Sequence, residues 1–228
     1  MTSTTYQENH TLYASADNAP GFDPDRAKLL GNWLKDISTP ARSLDIGCAS
    51  GGFSGLLPDD VEKWGVDFQR HPKLSEKFVF KSGDISEPWP IPKTYFDIVL
   101  AGEIIEHVLD TDAFLTQCFE SLAVGGYLLL TTPNLVSFAN LRYWFKTDQY
   151  MWVDSGSNQM GHVRYLAPSQ MKIALQMAGF VDIQMASSSG LESLDRLSSL
   201  QNLLRKAFPL RGNRLCVMAR KPVEPQQD

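Results

Sequence analysis

The sequence predicts an α/β protein with a doubly wound sheet, and two observations carry that expectation. Residues 43–53 read SLDIGCASGGF, an apolar run with Asp45 directly ahead of a glycine-rich turn, Gly47 to Gly52. Small residues there let the backbone approach a ligand closely and permit φ > 0 without a Cβ penalty. Further apolar stretches then meet acids at strand-end positions: Asp67 in WGVD, Asp84 in FVFKSGDI and Glu103 in FDIVLAGEIIEHV. A strand, a glycine turn and a helix form the first unit of such a sheet.

The elements follow in order. PDRAKLLGNWLKD (24–36) carries Leu29, Leu30, Trp33 and Leu34 at helical spacing, so a helix with one face on the sheet is expected. Pro40 separates it from the first strand. FSGLL after the turn is expected to start a helix whose unpaired N–H groups face a ligand. WGVD and FVFK are the second and third strands, and Pro88, Pro90 and Pro92 make 86–94 an irregular loop. Residues 96–101 are the fourth strand, running into a helix that opens with Glu103. TDAFLTQCFESLA (111–123) is the next helix, and YLLLTT the fifth strand.

The segment 133–167 is long for a connection and rich in rings: Phe138, Tyr143, Trp144, Phe145, Tyr150, Trp152 and Tyr165. Loops beyond ~12–15 residues commonly serve as lids or binding segments. A helix at 136–146 (VSFANLRYWFK) would either cover a ligand or form a satellite core, and both readings stand. APSQMKIALQMAGF predicts a helix after Pro168 that ends at Gly179, and VDIQMA a sixth strand. Leu191, Leu194, Leu197, Leu200, Leu203 and Leu204 line one side of a further helix. That face is expected to pack on the sheet, with a membrane surface or a dimer contact as the alternative. NRLCVMARK closes the fold as an edge strand before the tail PVEPQQD. Residues 1–20 are polar and read as an arm, in which Tyr13 is a candidate lid residue.

The chain has 228 residues, enough for one large domain and too few for two comfortable ones. With 43% apolar and 21% charged residues it is expected to be globular. A net charge of -5 argues against tight, unspecific binding of phosphate backbones. Cys48, Cys118 and Cys216 lie in apolar segments without a C-x-x-C partner, so buried thiols in a reducing compartment are expected. The start of the chain lacks a signal pattern, and no apolar run approaches the ~20 residues of a membrane span. A cytoplasmic location is the expectation.

Taken in order, the motifs LDIGCASGG, GVD, SGDI, FDIVLAGEIIEHV and LAVGGYLLLTTPN resemble those of class I S-adenosylmethionine (SAM)-dependent methyltransferases over residues 40–185. The resemblance implies a Rossmann-like, seven-stranded sheet of order 3-2-1-4-5-7-6 with the last strand antiparallel. It implies that Asp45, Gly47 and Gly51 hold the amino-acid end of SAM, with Ala49 where a middle glycine is usual. Asp67, followed by Phe68, would take the ribose hydroxyls. Asp84 and Ile85 would frame the adenine, and Gly102 and Glu103 would border the methionine end. A dinucleotide site instead expects G-x-G-x-x-G, which GCASGG does not supply.

A second constellation accompanies these motifs. Glu103, Glu106 and His107 stand at i, i+3 and i+4, which share one face of a helix. The chain has four histidines, and another, His162, lies in GHVRYL inside the insertion. Two carboxylates and two imidazoles suit Mg²⁺, Mn²⁺ or Zn²⁺. EIIEHV with the later GHVRYLAPSQMKIALQMAGF is similar to ubiquinone-pathway O-methyltransferases and to small-RNA 2′-O-methyltransferases. In the second group an E-x-x-E-H helix and a later histidine hold a metal. Three readings stay open at His107: metal ligand, metal-free general base, or buried histidine without a role in the reaction. The expected function is O-methylation of a small hydroxylated acceptor, with His107 or His162 ligating or taking the proton. An RNA 2′-O-methyltransferase and a non-catalytic SAM-binding partner subunit are the alternatives. The acceptor's identity and the oligomeric state, a homodimer included, are left open.

Overall fold

Seven strands form one sheet in the order β3-β2-β1-β4-β5-β7-β6 in the computed structural model, which describes residues 24–38, 40–151, 162–188 and 207–223. The strands are β1 (Arg42–Ile46), β2 (Glu62–Asp67), β3 (Val79–Ser82), β4 (Phe96–Gly102), β5 (Leu122–Pro133), β6 (Val181–Ser188) and β7 (Arg214–Arg220). The helices are α1 (Pro24–Lys35), α2 (Thr111–Ser121), α3 (Phe138–Thr147) and α4 (Pro168–Met177). Strands β1 to β5 pair in parallel, while β7 is antiparallel to both β5 and β6. The expected doubly wound sheet and its strand order are present. The arm 1–20 with Tyr13, Trp152 and the leucine-rich stretch 191–204 lie outside the described residues.

Period-2 alternation divides the apolar residues of each strand between two cores. Leu128 and Leu130 of β5 join Leu44, Ile46, Phe114, Leu115, Met171 and Leu175 on the face covered by α2 and α4. Leu129, one residue out of phase, joins Leu30, Phe53, Leu57, Cys216 and Met218 on the face covered by α1. Helix α1 thus buries the expected stripe, with Leu30 fully covered and Leu29, Trp33 and Leu34 packed beside it. Asp110 caps α2 by accepting from the Ala113 amide at 2.9 Å. Ser137 caps α3 in the same way, accepting from the Asn140 amide at 3.1 Å. Each cap satisfies an amide that the first helical turn leaves open.

Three expectations are corrected. The segment after the glycine turn forms one 3₁₀ turn, Ser54–Leu56, rather than a helix. Gly51, Gly52 and Gly55 weaken helix propensity there and Pro58 stops propagation, so the chain reaches β2 without a second turn. The helix expected to open at Glu103 is also only a 3₁₀ turn, Ile105–His107, and α2 starts later. Glu103 adopts a left-handed φ of 54°, and its amide still donates to the Thr131 carbonyl at 2.8 Å. The chain therefore leaves the sheet one residue too late for a helix to include Glu103. Strand β7 is not an edge strand. It lies between β5 and β6, and its alternate residues face both cores, with Leu215, Val217 and Ala219 in one and Cys216 and Met218 in the other. Burial on both faces makes it an apolar run, a pattern that marks an interior strand.

Candidate active site

The parallel register aligns the carboxyl ends of the central strands. Ile46 pairs with Val66 and with Ala101, so the next residues, Gly47, Asp67 and Gly102, form a row. Gly102 continues that row by pairing with Thr131. Ligands bind along such an edge in open α/β sheets.

Gly47 opens the turn at φ 69°, and a Cβ there would lie 2.7 Å from Cδ1 of Ile104. Gly51, at φ 81°, closes a tight turn in which its amide donates to the Cys48 carbonyl at 2.7 Å. Ala49 is left-handed as well, at φ 40°, so alanine occupies a conformation suited to the glycine usual there. Its amide donates to Oδ2 of Asp67 at 2.9 Å, while the Phe68 amide donates to Oδ1 at 2.7 Å. Those two bonds fix the Asp67 carboxylate across the mouth of the turn. Asp45 is 2% exposed, and its Oδ2 accepts from the Ser54 hydroxyl at 2.8 Å and the Ser54 amide at 3.3 Å. Burial lifts its pKa to about 7 against the pull of the Ser54 bonds, with the charge of Asp67 adding to the rise.

Asp84 holds a local turn, accepting from the amide and hydroxyl of Ser86 at 2.9 and 2.6 Å. No helix follows it, so its cap function is that of a turn residue. Ile85 is buried in the larger core, and its carbonyl accepts from the Trp89 indole at 3.2 Å. Gly102, at the end of β4, lies against the Phe53 ring.

The second constellation is split by the sheet. Glu106, His107 and His162 each offer a ligand atom, and these atoms lie within 4.8 Å of one another. The two imidazole rings are 4.8 Å apart between centroids. The amides of Val163 and Arg164 donate to the Glu106 carbonyl at 2.8 and 3.1 Å, which brings His162 to the site from far along the chain. Glu106 is 2% exposed. Its Oε2 accepts from the Thr132 hydroxyl at 3.0 Å, whereas Oε1 is buried with no hydrogen-bond partner among the described residues. Burial pushes the Glu106 carboxyl well above its ordinary pKa, and repulsion from Glu103 adds to that.

Glu103, expected in the same cluster, stands outside it. Its carboxylate is held by Arg26 at 3.1 Å and by Arg214 at 2.6 Å. Arg26 is 7% exposed and also donates to the Thr131 hydroxyl at 3.4 Å. Thr131 and Thr132 point to opposite faces of β5, so Glu103 joins the side of α1 and Glu106 the other side. Arg26, Arg214, Thr131, Thr132 and Ser54 were not among the sequence candidates. A buried arginine on an apolar helical stripe was the one signal, at Arg26.

Comparisons with known proteins identify the family and support the fold. A family model described as a methyltransferase domain matches residues 18–185. A Mycolicibacterium smegmatis protein named "probable S-adenosylmethionine-dependent methyltransferase" is 28% identical over 147 residues, covering 60% of this chain and 51% of that protein. The chain thus spans about half the length of that relative. A ubiquinone biosynthesis O-methyltransferase of Rhizobium etli is 28% identical over 204 residues, covering 81% of this chain and 75% of that one. Among solved structures, a SAM-dependent methyltransferase of Archaeoglobus fulgidus superposes with TM-score 0.59 at 21% identity, covering 86% and 94% of the two chains. A Burkholderia thailandensis 1,6-didemethyltoxoflavin-N1-methyltransferase solved with S-adenosylhomocysteine reaches TM-score 0.62 at 16% identity, covering 96% and 88%. The structural likeness carries the fold, and the family match covers the glycine turn, the strand-end acids and the histidine pair: the chain belongs to the class I SAM-dependent methyltransferases.

Proposed function

We propose that this chain is one methyltransferase domain that O-methylates a small hydroxylated acceptor, with a divalent ion beside the transfer site. The convergence of Glu106, His107 and His162 carries the reading. A carboxylate and two imidazoles form a donor set suited to Zn²⁺, Mn²⁺ or Mg²⁺. The buried, unbonded Oε1 of Glu106 fits a cation, because a carboxylate oxygen in that position is costly unless a positive charge compensates it. Glu103 belongs to the SAM side of the site in this reading, since two arginines already neutralise it. The R. etli relative, named as an O-methyltransferase, supports the choice of oxygen as the acceptor atom.

SAM carries an activated methyl group, so this chain's residues position the partners and manage one proton. Asp45, with Gly47, Ala49 and Gly51, holds the amino-acid end. Asp67 and Phe68 hold the ribose, Asp84 and Ile85 the adenine, and Gly102 the methionine side. The acceptor oxygen forms its bond to the methyl carbon as the sulfur–methyl bond breaks, and the electron pair of that bond stays on sulfur. The hydroxyl proton goes to an imidazole, His107 or His162, each half-buried and within reach of solvent. A bound divalent ion would lower the hydroxyl pKa and orient the oxygen.

The net charge of -5 disfavours RNA as the acceptor. A scaffold without catalysis has no need of the oriented Asp67 carboxylate. Among the described residues no helix is long and apolar enough to cross a membrane. Cys48, Cys118 and Cys216 are buried thiols, which supports a cytoplasmic location. The test is chelation during turnover against a panel of phenolic and other hydroxylated acceptors. EDTA should abolish methyl transfer, and Mn²⁺, Mg²⁺ or Zn²⁺ should restore it. Turnover that persists under EDTA would leave His107 as a metal-free base.

A further inference from the structure

We infer that Thr132 is a positioning residue for this site: its hydroxyl holds the Glu106 carboxylate in the one orientation that leaves an oxygen for a divalent cation. The inference rests on the metal reading above. Thr132 is 1% exposed, one residue before the end of β5, and its Oγ1 donates to Oε2 of Glu106 at 3.0 Å. Glu106's own amide also stabilises the carboxylate, Thr132 is the side chain that bonds it, and Oε1 has no hydrogen-bond partner among the described residues. The main chain of Glu106 is fixed separately, by the amides of Val163 and Arg164.

These two restraints divide the work. The carbonyl of Glu106 ties the segment carrying His162 to the sheet edge, so backbone contacts set the distance between the imidazoles. The Thr132 hydroxyl anchors Oε2 from the strand, a side-chain restraint that the contacts of the Glu106 carbonyl do not supply. A bond to one carboxylate oxygen restricts the torsion and leaves the other oxygen available as a ligand. Partners that orient a ligating group typically govern metal affinity by about 10- to 100-fold. Thr132 fills the position for a local reason too. The neighbouring Thr131 faces the opposite side of the sheet toward Arg26, so consecutive threonines serve two polar clusters on two faces.

Thr132→Val replaces the hydroxyl by a methyl of nearly the same volume, and Thr132→Ser keeps the hydroxyl. Mn²⁺ and Zn²⁺ are titrated calorimetrically into the intact chain, and SAM is titrated in parallel as a control for an intact fold. The expected result is metal affinity lowered about 10- to 100-fold in Thr132→Val, near wild type in Thr132→Ser, and SAM affinity unchanged in both. Acceptor turnover by Thr132→Val should recover at high metal, with kcat restored and the half-saturating metal concentration raised. If valine distorts the strand, Thr132→Ala makes the same prediction. Wild-type metal affinity in a folded Thr132→Val or Thr132→Ala protein would overturn the inference and leave the metal site standing. A wild-type protein that binds SAM but neither ion would remove the metal reading, and the inference with it.

Discussion

In the proposed SAM site, Asp67 joins the glycine turn to the ribose in one side chain. Its two oxygens take the amides of Ala49 and Phe68, so the carboxylate locks the glycine turn and is itself aimed along the sheet edge. Asp67→Ala is therefore expected to weaken SAM binding by about 1.5–3 kcal/mol, the scale for hydrogen bonds to a charged group. Calorimetry measures this, with the unfolding midpoint as a control for the turn. Unchanged SAM affinity in the folded variant would contradict the ribose assignment, and NAD binding in its place would favour a dinucleotide site. Asp45, Asp67 and Asp84 were legible in the sequence because each ends an apolar run. Thr132 and Arg26 were not, because their partners lie elsewhere in the chain and only the strand register brings them into contact.

The insertion acts as an element in its own right. Helix α3 starts at its Ser137 cap, and Asn140 is buried, bonding the Leu135 carbonyl at 2.5 Å and the Met151 amide at 2.8 Å. Beyond it, Trp144 stacks on Tyr150 at 6.5 Å and Tyr150 on Tyr165 at 6.2 Å, while the Tyr165 hydroxyl donates to the His162 carbonyl at 3.3 Å. The rings thus form a ladder from α3 to the segment that delivers a histidine. Acceptor binding is expected to depend on that ladder, since lids close around substrates to exclude water. Trp144→Ala should raise the acceptor KM roughly two- to tenfold, the range of one lost aromatic contact, and leave SAM affinity unchanged. Steady-state kinetics with calorimetry for SAM separates the two. Equal acceptor kinetics in variant and wild type would make the segment structural cover. Trp152, the companion candidate, lies outside the described residues.

For the molecule as a whole, the buried acid beneath the cofactor turn links stability to pH. The folded state holds the Asp45 proton up to about pH 7, while the unfolded chain releases it near 3.8. Between those values the folded state binds more protons, so this group's stabilisation is present at low pH and is lost as pH rises toward 7. The unfolding midpoint of the SAM-free protein should fall across that window, and Asp45→Asn should remove this part of the slope. In the proposed site SAM reverses the sense, because its ammonium group would favour the ionised Asp45 carboxylate. Its affinity should strengthen by up to about tenfold per unit as pH rises toward 7. Thermal unfolding from pH 5 to 8, with and without SAM, reads both effects, and identical slopes for wild type and Asp45→Asn would refute the linkage.

What the sequence determined by itself was local: apolar runs of strand length, glycines where the chain must turn tightly, and acids at the strand ends. Those features depend on neighbours a few residues apart, and they put Gly47, Asp67 and Gly102 in one row at the carboxyl edge of the sheet. The E-x-x-E-H spacing was read with helical periodicity, and there the tertiary structure decided otherwise. Glu103 stays hydrogen-bonded to β5 and turns left-handed, so its carboxylate goes to the α1 face and to two arginines. Glu106 goes to the other face, where Thr132 and the histidines wait. The place of β7 between β5 and β6 was implied by the motif resemblance and not by the strand's own residues, and the structure supplies the reason, since the interior of the sheet buries both of its apolar faces. Periodicity says which residues share a face of an element, but the sheet's register settles which element exists and which face it meets.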